Sequence, residues 1–255
     1  MQKIIYFLFL AILAVACSNS KKQTGIPTDL SFSKTEYKEE SSISEKESTR
    51  LTAIIPIANG ENSIAKSIND SVFKTVKLII AQEGDNSTNY DDLFKGFIRN
   101  YEAFVSDNSD YKLGWEADIN GSVEYYNNDI VNIKLVSYTM TGGAHGNPNT
   151  TSLIFSAKDG KELVISNVVK DLEKLSQLAE IKFRAKYNLP SNQAINSTGF
   201  MFPDDKFILP QNIFITKDGL LLFYNVYEIA AYADGTKELL IPYNEIKDNL
   251  LVDIK

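Results

Sequence analysis

A single cysteine, Cys17, sets the terms on which this 255-residue chain can fold. It follows the apolar run from Ile4 to Ala16, which opens after Lys3 and ends in the small residues Ala14, Val15 and Ala16. That run is too short to span a bilayer comfortably and has the form of a signal-peptide core. An exported chain with one thiol can make no internal disulfide, so it must hold its shape without a covalent cross-link. Residues 51–255, about 205 in all, are enough for one large domain or two small ones with a sizeable core.

Leu13-Ala14-Val15-Ala16-Cys17 resembles the bacterial lipobox, with Ala14 where leucine is usual. The resemblance implies that residues 1–16 are removed and that Cys17 carries palmitate-type acyl chains. Two or three chains would make the anchor effectively permanent. The expected location is the cell envelope, at the outer membrane facing the periplasm. Residues 17–44 are rich in Ser, Lys, Glu and Thr and are expected to be a tether. Phe32, Tyr37 and Ile43 recur among its charges, so its later part has the makings of an edge strand. The formal net charge of −7 excludes nucleic acid as a natural partner and favours a cationic one.

Beyond the tether the periodicities alternate. Leu51–Ile57 reads as a strand ending at the turn pair Asn59-Gly60. Ile64, Ile68, Val72, Val76 and Ile79 or Ile80 form a helical stripe, and Tyr90, Leu93, Phe94, Phe97, Ile98, Tyr101 and Phe104 form a second. A hairpin about Asn127-Asn128-Asp129 follows, then a strand at 151–155, the turn Asp159-Gly160 and a short strand at 163–165. Asp171 opens a third helix, with Leu172, Leu175, Leu178, Ile181 and Phe183 on its inner side. Residues 190–205 read as a long polar loop. A hairpin about Lys217-Asp218-Gly219, a last strand at 238–241 and a short helix from Tyr243 complete the chain. This order predicts an α+β fold of two packed subdomains with helices against antiparallel sheets, divided as 45–112 and 113–255.

The lone histidine, His145, ends the segment Tyr138-Thr139-Met140-Thr141-Gly142-Gly143-Ala144-His145-Gly146. Glycines 142, 143 and 146 permit positive φ and close backbone approach, so the loop can present His145 and several amides to a ligand. The alternative is a connection whose histidine makes a structural hydrogen bond. This segment resembles the Gly-Gly-Ala-His-Gly signature of a bacterial envelope domain family of unknown function. Tyr224, Tyr227, Glu228, Ile229, Ala230, Tyr232, Ala233 and Gly235 resemble its second signature, with Ala231 in place of the usual proline. Ile241-Pro242-Tyr243 matches its closing strand, and residues 51–80 look like the smaller domain that commonly precedes it.

Such domains form the sensing part of a lysozyme-binding anti-sigma factor and precede the catalytic domain of some peptidoglycan deacetylases. The resemblance therefore implies a non-catalytic recognition module for a lysozyme-like protein, a peptidoglycan fragment or a partner protein. Its candidate binding residues are Tyr138, Gly142, Gly143, His145, Tyr224, Tyr227 and Tyr232. The competing reading is a hydrolase with His145 as general base and Glu228 or Asp234 as orienter, which requires those segments to meet. No cofactor is expected. One histidine cannot build a multi-histidine zinc site, and Glu116-x-Asp118-x-Asn120-Gly121 lacks the acidic twelfth ligand of a calcium loop, so no metal is expected either.

Overall fold

The computed structural model describes residues 30–43, 49–60 and 62–254. Cys17 and the leader lie outside them. Strands β1 (Ser31–Glu40) and β2 (Arg50–Asn59) are followed by helices α1 (Ser63–Ile80) and α2 (Tyr90–Asp107). Then come β3 (Glu116–Tyr126), β4 (Ile130–Met140), β5 (Asn147–Ser156) and the short β6 (Glu162–Leu163). Helix α3 (Leu172–Lys186), β7 (Asn212–Ile215), β8 (Gly219–Tyr224), β9 (Lys237–Pro242) and the single turn α4 (Tyr243–Ile246) complete the order. The fold is α+β, with a six-stranded sheet β1-β2-β3-β4-β5-β6 and a three-stranded sheet β7-β8-β9. No helix among the described residues is long and apolar enough to cross a membrane.

Each long helix starts where an Asn or Asp side chain can take an amide that has no partner within the helix. Asn62, Asn89 and Asp171 accept from the backbone N–H of Ala65, Asp92 and Lys174, each at 2.9 Å. The α1 stripe is Ala65, Ile68, Val72, Val76 and Ile80, all buried, and α2 buries Leu93, Phe94, Phe97, Ile98 and Tyr101. Both stripes press onto Leu51, Ala53 and Ile55 of β2, Ala117 and Ile119 of β3, and Ile133 and Leu135 of β4. Truncating any of the Leu, Ile or Phe side chains among these to alanine costs about 2–5 kcal/mol. The stripe of α3 is Leu175, Ala179 and Phe183, whereas Ile181 is 68% exposed. Small Ala179 completes the i, i+4 row that sequence spacing assigned to Ile181.

The large sheet is mixed rather than purely antiparallel. β2 and β3 run parallel, from Arg50↔Glu116 to Ile54↔Asn120, because two helices separate them and a crossover of that length returns the chain in the same direction. The pairing ends near Pro56, which has no N–H to offer a ladder. Its ring lies where a side chain at position 121 would be, since a Cβ on Gly121 would come 2.4 Å from Pro56 Cδ. β1 occupies part of the stretch read as a tether and forms the sheet's edge. Nor does the sheet part at residue 112: β2 lies before that point and its partner β3 after it. The first core draws on residues from Leu30 to Ala157, the second mainly on 163–254.

Side-chain amides join the two sheets where strand pairing stops. On the free edge of β7, Ile215 N–H donates to Asn132 Oδ1 of β4 at 2.8 Å, and Ile213 C=O accepts from Ser152 Oγ of β5 at 2.8 Å. In return, Ser152 N–H donates to Asn212 Oδ1, and Thr150 gives its N–H to, and takes an amide N–H from, Asn225. Buried edge groups are thus satisfied without a continuous ladder. Ile130 and Ile154, beside these bonds on the outer face of the large sheet, belong to the second core.

Candidate functional site

The β4–β5 hairpin loop carries Gly142 at φ 112° and Gly143 at φ 98°, a region that side chains with a Cβ avoid. Gly146 is needed for a different reason. A Cβ there would lie 2.3 Å from the ring of Tyr138, so the tyrosine packs against bare backbone. Beneath the loop, Tyr111 Oη lies 3.1 Å from the point a Gly142 Cβ would occupy and makes no hydrogen bond. These contacts fix the direction in which His145 leaves the loop.

His145 meets the segment after β8. Its ring stacks on Tyr232 with centroids 4.3 Å apart and planes at 24°, and Tyr227 Oη stands 3.2 Å from its Nε2. The other ring nitrogen, Nδ1, is 3.0 Å from Gly146 O and must donate, because a carbonyl only accepts. In the neutral imidazole Nε2 is then the acceptor, and the Tyr227 hydroxyl donates a hydrogen bond to it. Tyr232 Oη donates to the same Gly146 carbonyl at 3.3 Å. Tyr227 is held at φ 67°, an outlier for an aromatic residue, and is 62% exposed. Backbone held in so sparsely populated a region persists only where the surroundings fix it.

The two signature segments therefore converge, but not every candidate joins them. Tyr138, Gly142, Gly143, His145, Tyr227 and Tyr232 form one patch. Tyr224 is fully buried in the second core, where its hydroxyl donates to Ile208 O at 2.7 Å. Burial, with Glu228 nearby, raises its pKa above the ordinary tyrosine value. Glu228 is committed to the backbone: its two oxygens accept from Gln211 N–H and Asn225 N–H, each at 2.8 Å. Asp234 lies in the 3-10 turn 232–234, whose backbone carbonyl receives Lys237. Among the described residues neither ring nitrogen of His145 bonds a carboxylate. Nε2, the nitrogen a general base would use, is already engaged by a tyrosine.

No group of three His, Cys, Asp or Glu side chains suited to a metal occurs among the described residues. Glu116, Asp118 and Asn120 lie along β3, not in a loop. Arg50 bonds Glu116, and Thr52 Oγ1 donates to Asp118 at 2.8 Å. Sequence reasoning weighed Asp118 only within the calcium-loop pattern that it set aside, and read Thr52 as an ordinary strand residue. The available signal was their alternation with buried Leu51, Ala53, Ala117 and Ile119, which places them on the opposite face.

Residues 161–244 match the family described as a protein of unknown function, DUF3298, and residues 42–148 match deacetylase PdaC. A DUF3298 family protein from Bacteroides fragilis is similar in structure, with a TM-score of 0.67 and 21% identity over 88% of this chain and 94% of that one. A second, from Pseudomonas aeruginosa, gives 0.61 and 19% over 89% and 96%. At these identities the likeness is one of fold. No match is found among curated proteins.

Proposed function

We propose that this chain, a PdaC-like region followed by a DUF3298 domain, is a non-catalytic recognition module of the bacterial cell envelope, anchored by lipid at Cys17. The observation that carries the reading is the exposed His145–Tyr227–Tyr232 cluster. It displays aromatic surface on two loops that are rigidly braced against each other. The hydrogen-bond state of His145 supports binding over hydrolysis, since its Nε2 is engaged by Tyr227 and no carboxylate among the described residues orients the ring. Tyr, which combines a large apolar face with a polar tip, is the residue type that recognition surfaces favour. The deacetylase name attached to the first half and the leader before Cys17 support an envelope setting. Candidate ligands are a lysozyme-like cationic protein, which the negative net charge would attract, a peptidoglycan fragment or a partner protein.

The test combines capture and turnover. The purified protein is incubated with envelope extract and with lysozyme, and Tyr227→Gly serves as the comparison because glycine accepts φ 67° and removes only the ring. Specific capture by the wild type and its loss in Tyr227→Gly is the expected result. Hydrolysis of peptidoglycan fragments or simple esters by the wild type, abolished in a normally folded His145→Ala, would overturn it in favour of the hydrolase.

A further inference from the structure

Among the described residues β1 is the long sheet edge left open, and its charges identify what can pair with it. The other edges are too short or already engaged. β6 is two residues long, and β7 is tied to β4 and β5 through Asn132 and Asn212. The Glu238 backbone of β9 exchanges 3.1 Å hydrogen bonds with Tyr187 Oη of α3. β1 offers ten residues, and no described strand lies beyond it. We infer that two copies of this chain join edge to edge through β1, antiparallel about a two-fold axis, in one continuous sheet. The assignment is independent of what the His145 cluster binds.

Lys34, Glu36, Lys38 and Glu40 are all exposed and, as alternate residues of a strand, share one face. It is the outer face, because the intervening Thr35, Tyr37 and Glu39 pair with Ile55, Ala53 and Leu51, which pack under the helices. Within the chain their charges are poorly answered. Lys34 lies opposite Pro56, Glu36 opposite Ile54 and Lys38 opposite Thr52, while Glu40 lies opposite Arg50, whose guanidinium bonds Glu116. Lys38 reaches Glu40 along its own strand at 3.9 Å, and Lys34 and Glu36 have no ion pair among the described residues. The edge therefore presents a row of alternating sign.

A second β1 is the strand that matches this row. With Tyr37 opposite its own copy, Lys34 falls opposite Glu40 and Glu36 opposite Lys38, each twice by symmetry, and Thr35 falls opposite Glu39. Opposite charges so placed stabilise a sheet, and like charges destabilise it. A slip of two residues one way sets Lys34 against Lys38, and the other way sets Lys38 against itself. A parallel pairing in register would set every charge against its own kind. A uniformly cationic strand would meet its own sign at Lys34 and Lys38. Edge charges turn away strands that cannot match them, and here they leave the copy as the match. Tyr37 is held on the helix side, with its ring centroid 5.0 Å from Phe94 and 5.5 Å from Tyr90. Because β6 is too short to receive β1, the contact closes as a dimer and does not grow head to tail.

The test is sedimentation velocity of the full-length chain in detergent over a concentration series. The wild type is compared with Glu36→Lys and with Glu36→Lys combined with Lys38→Glu. Both positions are exposed, so circular dichroism should show the fold unchanged. The wild type is expected to dimerise. Glu36→Lys sets like charges together at both symmetric contacts and should weaken dimerisation about tenfold or more, and the double variant, in which opposite signs face each other again, should restore it. Copies that merely shared a micelle would respond to neither change. A monomer at every concentration would overturn the inference, as would a dimer indifferent to Glu36→Lys or one that the double variant fails to restore. Lysozyme capture run alongside tests another occupant: a monomer whose capture of lysozyme is lost in Glu36→Lys would give the edge to a cationic partner and overturn the dimer.

Discussion

Asn132 is the polar residue on which the junction of the two sheets most depends, and Asn132→Ala should cost about 2–4 kcal/mol. The side chain is fully buried and makes three hydrogen bonds. Its amide N–H groups donate to Ser152 Oγ at 2.9 Å and Leu153 O at 3.0 Å, and its Oδ1 accepts from Ile215 N–H at 2.8 Å. Alanine leaves the Ile215 N–H unpartnered inside a residue that is itself fully buried, which costs roughly 1–3 kcal/mol. The two lost bonds within the large sheet add about 1 kcal/mol, since the Ser152 hydroxyl keeps its own donation to Ile213 O. The total is a large share of the roughly 5–15 kcal/mol by which domains are stable. Urea unfolding followed by far-UV circular dichroism and by the fluorescence of Trp115, the only tryptophan, measures it. A loss below about 0.5 kcal/mol with unchanged m would show that the amide contributes nothing there. Asn132→Asp gives a further check through its sign. Burial raises the folded pKa of the new carboxyl above its unfolded value near 3.9, so the added deficit is absent below about pH 4 and grows as pH rises.

Three other outcomes are expected. Gly160→Ala should destabilise by about 1–3 kcal/mol in thermal melting, because φ is 71° and the new Cβ would sit 2.7 Å from the Ile64 carbonyl oxygen; an unchanged melting temperature would refute it. Burial tends to raise the Asp85 pKa, but hydrogen bonds from Ser87 and Lys77 and the Lys77 charge outweigh it, leaving it below the ordinary value. Its contribution is therefore present above the unfolded pKa and lost as pH falls through the folded one, so Lys77→Ala should flatten the acid side of the stability profile. Cys17→Ala should move the protein out of the membrane fraction or stall its processing, and retention with unchanged mobility would count against the lipid anchor.

The helices were legible because their cores are written as single stripes closed by Asn62, Asn89 and Asp171 at their starts. The hairpins were legible from their Asn, Asp and Gly turns. The parallel pairing of β2 with β3 was not, since nothing in either strand names its partner and the decision rests on how two intervening helices pack. Asn132, Asn212 and Asn225 were also missed: a polar residue in a strand reads as solvent-facing unless the edge it satisfies is known. At the site, two distant motifs were enough to bring His145 to Tyr227 and Tyr232. Tyr224 went the other way because it continues the inward row of Leu220 and Leu222 on β8.

The parallel pair also governs how the chain reaches its native state. Arg50 waits for Glu116, 66 residues later, so β2 has only β1 beside it until both helices have been made and docked. Closing so long a loop is slow compared with forming a hairpin, and an apolar strand with an unfilled side is the species most prone to join another copy. The outer rim of the early β1–β2 ribbon carries Lys34, Glu36, Lys38, Glu39 and Glu40, charges that discourage such pairing on that side. The opposite side of β2 has no comparable guard, so the interval before β3 arrives is when newly made chains are most exposed to aggregation.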